Sequence, residues 1–341
     1  MKRAAFFPGQ GSQSVGMGKA FYDEFTVFRQ AIEEASDSLH FDLKNLIFNG
    51  PDADLTLTQN AQPAILAVSV GCFRVAETEL DFKSDVNLGH SLGEYSALVC
   101  SEALPFSQSV RWVNARGMAM QKAVPLGAGT MSAVLGAEDQ DVDTWCKEAT
   151  QIAIAARSAI EESEETAHYS VACTVEPANF NAPLQVVVSG SIDAVSALEA
   201  LILEKGIRGI LAKRLSVSAP FHCSLMKPAR DHMDAIFAAA KAKNLLLPLQ
   251  TPYIPNRTGR LTEDSGLVFP LLSEQVDHSV LWKQSVEEVL KLNIPIAFEF
   301  GPGKVLQGLA KRISKGTNKP LEVFPIYDLE SLKIAEGVLT K

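Results

Sequence analysis

The hydrophobic positions of this chain change period several times, and each change marks an element. Lys2–Phe7 is a short apolar run stopped by Pro8-Gly9, the pattern of a buried strand. Lys19–Glu34 carries apolar residues at helical spacing and predicts a helix. A longer helix is predicted over Asn60–Glu79, with Pro63 in its first turn and Ile65, Val68, Cys72, Val75 and Ala76 on one stripe. Asp85–His90 is a short strand, followed by a helix from about Leu92 to Ser101. Ser107–Ala123 predicts another helix, opened by Pro105 and capped by Ser107. This alternation is that of an α/β layer structure with parallel strands.

Near Pro125 the pattern changes. The small residues of "PLGAGTMSAVLG" lead into a strand. A helix over Asp141–Ile160 follows, then an acidic run at Glu161–Thr166, expected on a solvated loop or helix end. Strands His168–Val175 and Leu184–Gly190, a helix over Asp193–Gly206 and a strand over Arg208–Leu215 complete the set. This βα-ββ-αβ order predicts a small inserted ferredoxin-like α+β subdomain at 127–211. The α/β pattern resumes with "SAPFHCSLM" and a helix to about Asn244. The fold class expected is α/β: a large α/β-hydrolase-like subdomain with a parallel sheet, residues 1–126 and 212–341, carrying the small subdomain.

Composition narrows the function classes. With 341 residues, 47% of them hydrophobic and 21% charged, the chain can bury a large core without staples. A net charge of -9 gives no support to non-specific nucleic-acid or membrane binding, so neither is expected as a partner. Five scattered cysteines with no C-x-x-C pair indicate neither a disulfide framework nor a zinc site, and a reduced, cytoplasmic setting is expected. The start "MKRAAFF" mimics a signal peptide, but Pro8 ends its apolar run after four residues.

Three features could carry chemistry. The loop after the first strand, "PGQGSQSVGMG", resembles a phosphate cradle but fails both nucleotide patterns. A dinucleotide fingerprint from Gly9 would need glycine at Ser14, and a P-loop from Gly11 offers Met17 where lysine is required. No metal-ligand spacing is present, and no cofactor is expected. "GHSLG" at Gly89–Gly93 matches G-x-S-x-G between a predicted strand and a predicted helix, the setting of a nucleophile elbow at Ser91. The Leu92 N–H would then lie at a helix N-terminus, where donors favour developing negative charge. A serine nucleophile needs a base. Of six histidines, His222 in "SAPFHCSLM" is favoured by its place between a strand and a helix start, whereas His90 is expected to point away and pack. Arg116 lies beside the apolar stripe of its helix and precedes Gly117, so burial would require a carboxylate partner, from protein or ligand. Arg111 reads as an ordinary surface charge.

Four stretches, "FFPGQGSQSVGMG", "GHSLGEYSALV", "NARGMAMQKA" and "FGPGKVLQGLAKR", occur in order with "NAQPAILAVSV" and "APFHCSLMKPA". Together, from Ala5 to about Ile313, they resemble the malonyl-CoA:acyl-carrier-protein transacylases of fatty-acid synthesis. Acyltransferase domains of polyketide synthases are the nearest confusable relatives. The resemblance implies Ser91 as the acylated nucleophile and His222 as base and later acid, oriented by a backbone carbonyl. It implies the Gln10 and Leu92 backbone N–H groups as oxyanion hole and Arg116 as the clamp on the malonyl carboxylate. Gln275 falls at a further active-site polar position, and Phe221 resembles malonyl-type sites. The implied partners are malonyl-CoA and holo acyl carrier protein. Between Cys146 and Pro177 the chain is longer than the usual family segment, which touches cleft mouth and carrier docking rather than chemistry. Lys311, Arg312, Lys315 and Lys319 are candidates for a basic docking patch.

Two other readings compete. An α/β-hydrolase esterase or thioesterase also uses G-x-S-x-G, but expects several strands before the elbow, an acid between serine and histidine and an H-G-G-G-type loop. Only generic candidates such as Asp139 and Asp193 are present. A degenerate acyltransferase kept for binding would lack Ser91, His222 or Arg116, and all three are here. The lack of fused carrier or ketosynthase segments favours a discrete fatty-acid enzyme over a polyketide one.

Overall fold

The computed structural model of the chain describes residues 1–161, 171–315, 317 and 319–340. Among the described residues eight strands run β1 Arg3–Phe7, β2 Val86–Gly89, β3 Gly129–Leu135, β4 Val175–Ala182, β5 Gln185–Ser191, β6 Leu211–Arg214, β7 Ile296–Phe300 and β8 Glu322–Ile326. They form a parallel sheet of order β2-β1-β7-β8 and a separate antiparallel sheet of order β4-β5-β3-β6. Two compact units result. One holds Met1–Met118, Met233–Leu272 and Gln284–Lys341; the other holds Ala119–His232 and Ser273–Lys283.

In the first unit, β1 and β2 are buried along almost their whole length, β1 through the apolar run Ala4–Phe7 and β2 with its one polar residue, Asn87, bonded by its side chain to Ser84 and Ser101. The register sets Phe7 beside Gly89, so the loops after β1 and β2 leave from neighbouring points. The strand order reverses at β1, and open parallel sheets bind ligands outside the carboxyl ends of strands at such a point. Phe7, Phe73, Phe82, Phe298 and Phe300 pack ring against ring beneath.

The long helix spans Thr58–Leu80, which puts Pro63 inside it rather than in its first turn. Proline removes one helical hydrogen bond and frees the Gln59 carbonyl four residues back. The Asn114 side chain donates to that carbonyl at 2.8 Å. The expected helix over 19–34 is two helices, Lys19–Glu24 and Thr26–Leu39, with Phe25 extended between them. Phe25 turns its ring edge-on to Phe21, and Arg29 bonds the Asp23 carbonyl beside the break. Packing overrides helical periodicity there. The 106–122 helix begins at Phe106, so Ser107 is inside it and not its cap.

In the second unit the helices Asp139–Glu161 and Ile192–Lys205 accompany the antiparallel sheet, around a core that includes Val134, Val142, Trp145, Val186, Val188 and Leu198. Of the strand expected over 168–175, residues 171–174 are not strand, and the described strand runs Val175–Ala182. It is an edge strand with irregular pairing at Pro177/Asn179 and Phe180/Ala182, and these residues hide its alternation. His168 and residues 162–166 of the acidic run lie outside the described residues.

Candidate functional site

Ser91 follows β2 and precedes the helix Gly93–Cys100. Its φ of 53° lies in the left-handed region that non-glycine residues seldom occupy, and strain of this kind persists only where surrounding contacts hold it. The contacts are tight. A Cβ on Gly89 would stand 2.0 Å from the Gly93 carbonyl carbon, and one on Gly93 would stand 2.1 Å from the Phe7 oxygen. Only glycine on both sides of the serine lets strand and helix meet this closely. The Ser91 N–H donates to Asn256 Oδ1 at 2.7 Å.

The glycine-rich loop after β1 lies against this turn. A Cβ on Gly9 would come 2.5 Å from the His90 carbonyl oxygen, and the His90 N–H donates to Phe7 at 2.9 Å. Gly11 has φ 99°, which a side chain would strain. Among the described residues the backbone N–H groups of Gln10 and Leu92 donate to no protein acceptor. Leu92 stands at the N-cap of its helix, where an unsatisfied N–H points at incoming negative charge.

Arg116 is buried at 1% exposure. Gly117 makes this possible, because a Cβ there would meet the Thr58 carbonyl at 2.7 Å and push the two helices apart. Arg116 Nη1 donates to Gln62 Oε1 at 2.9 Å, Nη2 donates to Ser91 Oγ at 3.2 Å, and the guanidinium carbon sits 5.9 Å from the Tyr95 ring centre. Burial lowers its pKa, while the Tyr95 and Glu94 charges act the other way. A desolvated guanidinium in hydrogen-bond contact with a strained serine is a ready binder of a substrate carboxylate. Arg111 is exposed and bonds the Ser38 carbonyl.

In the second unit His222 is also left-handed, at φ 59°, and buried. Its Nδ1 lies 2.8 Å from the Gln275 carbonyl oxygen. Such a carbonyl accepts a hydrogen bond from Nδ1–H, which keeps the proton on Nδ1 and leaves Nε2 with a lone pair, the tautomer a general base needs. No acid is required for that orientation. Pro220 packs on Gly129, the Ser224 N–H donates to Glu176 Oε2 at 3.1 Å, and Phe221 is buried. Gln275 meets His222 through its main-chain oxygen.

Three residues that sequence reasoning did not single out belong to this set: Gln62, Asn256 and Glu94, the last accepting the Asn256 backbone N–H at 3.0 Å. Glu94 sits in the quoted "GHSLGEY" and Gln62 in "NAQPAIL", whereas "YIPNRTG" around Asn256 carried no signal. The five cysteines are free, and burial raises the pKa of each. Among the described residues no His/Cys/Asp/Glu group could hold a metal, and no helix is long and apolar enough to cross a membrane. Lys311, Arg312, Lys315 and Lys319 are exposed.

Residues 6–157 match the acyl transferase domain family. The chain is 36% identical over 340 residues to a malonyl CoA-acyl carrier protein transacylase of Haemophilus influenzae, covering 99% of each. It is 37% identical over 314 residues to the protein so named in Escherichia coli K12, covering 92% of this chain and 93% of that one. Among solved structures it resembles an acyl-carrier-protein S-malonyltransferase of Burkholderia pseudomallei, with TM-score 0.86 and 36% identity over 99% of this chain and 100% of the other. It also resembles a malonyl-transacylase solved in complex with a type II polyketide-synthase acyl-carrier protein, with TM-score 0.84 and 35% identity over 99% and 100%.

Proposed function

The chain belongs to the malonyl CoA-acyl carrier protein transacylase family, and from that we propose that it moves a malonyl group from malonyl-CoA to the phosphopantetheine thiol of holo acyl carrier protein. The observation that carries the reading is the buried Arg116 guanidinium 3.2 Å from Ser91 Oγ, because a plain ester gives such a charge nothing to bind.

The reaction runs in two halves through one covalent intermediate. Ser91 Oγ attacks the malonyl thioester carbonyl as His222 Nε2 takes its proton. The oxyanion draws on the Gln10 and Leu92 N–H groups, each contributing roughly 2.7–4 kcal/mol by the usual cost of losing such a donor. Collapse expels the CoA thiol, which leaves with the proton from His222. The malonyl ester then waits on Ser91 until the carrier thiol attacks, with His222 as base and then acid in the same order. Arg116 holds the malonyl carboxylate throughout, with Gln62 fixing its plane.

Several further readings go with this one. The parallel-sheet unit is α/β-hydrolase-like in its strand–nucleophile–helix turn. Residues 127–211 form a ferredoxin-like subdomain, a reading supported by the order β4-β5-β3-β6. Phe221 and the Gln275 side chain contribute to the acyl pocket. The setting is cytoplasmic, in keeping with free thiols, and the pathway is fatty-acid synthesis.

Intact-protein mass after brief mixing with malonyl-CoA, before and after adding holo acyl carrier protein, tests the proposal. A malonyl adduct on Ser91 that discharges onto the carrier is expected. An adduct lost to water without the carrier would make the protein a thioesterase, and no adduct would leave a binding protein.

A further inference from the structure

The strained serine has a clamp that the reaction scheme above does not use. Asn256 is wholly buried, and its one carboxamide meets both ends of the nucleophile turn. Oδ1 accepts the Ser91 N–H at 2.7 Å, and Nδ2 donates to the Gly89 carbonyl at 2.5 Å. A carboxamide is the side chain suited to this, since the turn offers one donor and one acceptor side by side. A carboxylate would face the Gly89 oxygen with a second acceptor, and an aliphatic chain would satisfy neither group.

Asn256 is itself anchored from two directions. Its backbone N–H donates to Glu94 Oε2 at 3.0 Å, and Glu94 is wholly buried in the first turn of the helix that follows the serine. Upstream, the Asn87 N–H donates to Pro252 and the Ile254 N–H to Asn87, each at 3.0 Å, so residues 252–254 run beside β2 as a short parallel bridge. The carboxamide therefore reaches the elbow from a segment stitched to the strand that ends in it. Strand end and serine are tied to the Asn256 side chain, and the helix start to its backbone N–H.

We propose that Asn256 is a positioning residue that holds Ser91 in its left-handed conformation and so aims Oγ and the Leu92 N–H at the thioester carbonyl. This rests on the reading of Ser91 as the acylated nucleophile. Asn256 does not touch the substrate. Its loss lowers the rate of acyl-enzyme formation and leaves malonyl-CoA binding, which Arg116 dominates, nearly unchanged.

The test is single-turnover acylation of N256A, N256D and S91A by malonyl-CoA, with KM and kcat separated and the thermal midpoint of each variant recorded. N256A is expected to lose about a hundredfold in kcat, on the order of tenfold for each of two hydrogen bonds, with KM within about threefold. N256D keeps the acceptor for the Ser91 N–H and the shape of the site, and is expected to lose about tenfold. It decides the matter if N256A does not fold. A folded N256A or N256D with kcat within about twofold of the parent, or a loss carried by KM alone, overturns the proposal while an inactive S91A leaves the serine reading intact. An S91A protein that still takes up malonyl overturns both.

Discussion

Replacing Arg116 with alanine should separate malonyl transfer from acetyl transfer. The guanidinium is 1% exposed and bonded to Gln62 and to Ser91 Oγ, so no bulk water competes for it. A carboxylate paired with it in two-pronged fashion makes two charge-assisted hydrogen bonds, each worth about 1.5–3 kcal/mol. Their loss removes about 3–6 kcal/mol from the malonyl transition state, or roughly 150- to 25,000-fold in kcat/KM. Acetyl-CoA offers no carboxylate and loses none of this. Its transfer should stay within about tenfold of the parent, because the alanine also removes a buried charge that acetyl leaves unpaired. The assay is transfer of labelled malonyl and acetyl groups from CoA to holo acyl carrier protein, with kcat/KM measured for each substrate and each protein. Equal factors for the two substrates would refute the reasoning and make Arg116 a structural residue bonded to Gln62.

Other perturbations test different parts of the molecule. Ser91→Ala should show no mass increase with malonyl-CoA, and any adduct on that variant would remove the nucleophile assignment. Glu299 is buried in β7, and burial pushes its pKa up from the usual 4.5 to about 7 although the Leu306 and Gln307 N–H groups donate to it. Its proton is thus held by the folded chain and already lost by the unfolded one between those two values. Stability should therefore fall by about 3 kcal/mol as pH rises through that window, and Glu299→Gln should flatten the fall. Denaturant midpoints at pH 5 and pH 8 measure this, and an unchanged slope in the variant would count against it. Gly93→Ala drives a Cβ into the Phe7 carbonyl and should cost about 1–3 kcal/mol, whereas Gly308→Ala, on an exposed helix face with nothing within 4 Å, should add about 0.5–1 kcal/mol. Urea titration compares the two, and equal midpoints would show that the Gly93 contact is relieved elsewhere.

The tight turn at Ser91 was legible because its determinants are neighbours in the chain. A strand, two glycines around a serine and a helix start occupy eleven residues from Val86 to Ser96, and backbone sterics act over that range. His222 could be favoured for the same reason, from the turn that presents it. The break at Phe25 and the edge strand at Val175–Ala182 were not legible, since aromatic packing and an irregular edge override the local periodicity that sequence reading relies on.

The sequence by itself determined the chemistry available: a serine on a turn, a histidine between elements, an arginine beside a glycine and a glycine-rich loop that fits no nucleotide. Only the tertiary structure decided which partners these groups have. Gln62 meets Arg116 from 54 positions away and Asn256 meets Ser91 from 165, and Gln275 reaches His222 through a main-chain oxygen common to every residue type. A hydrogen bond depends on position in space and on a donor facing an acceptor. Neither is written in residue order once the partners lie on different elements.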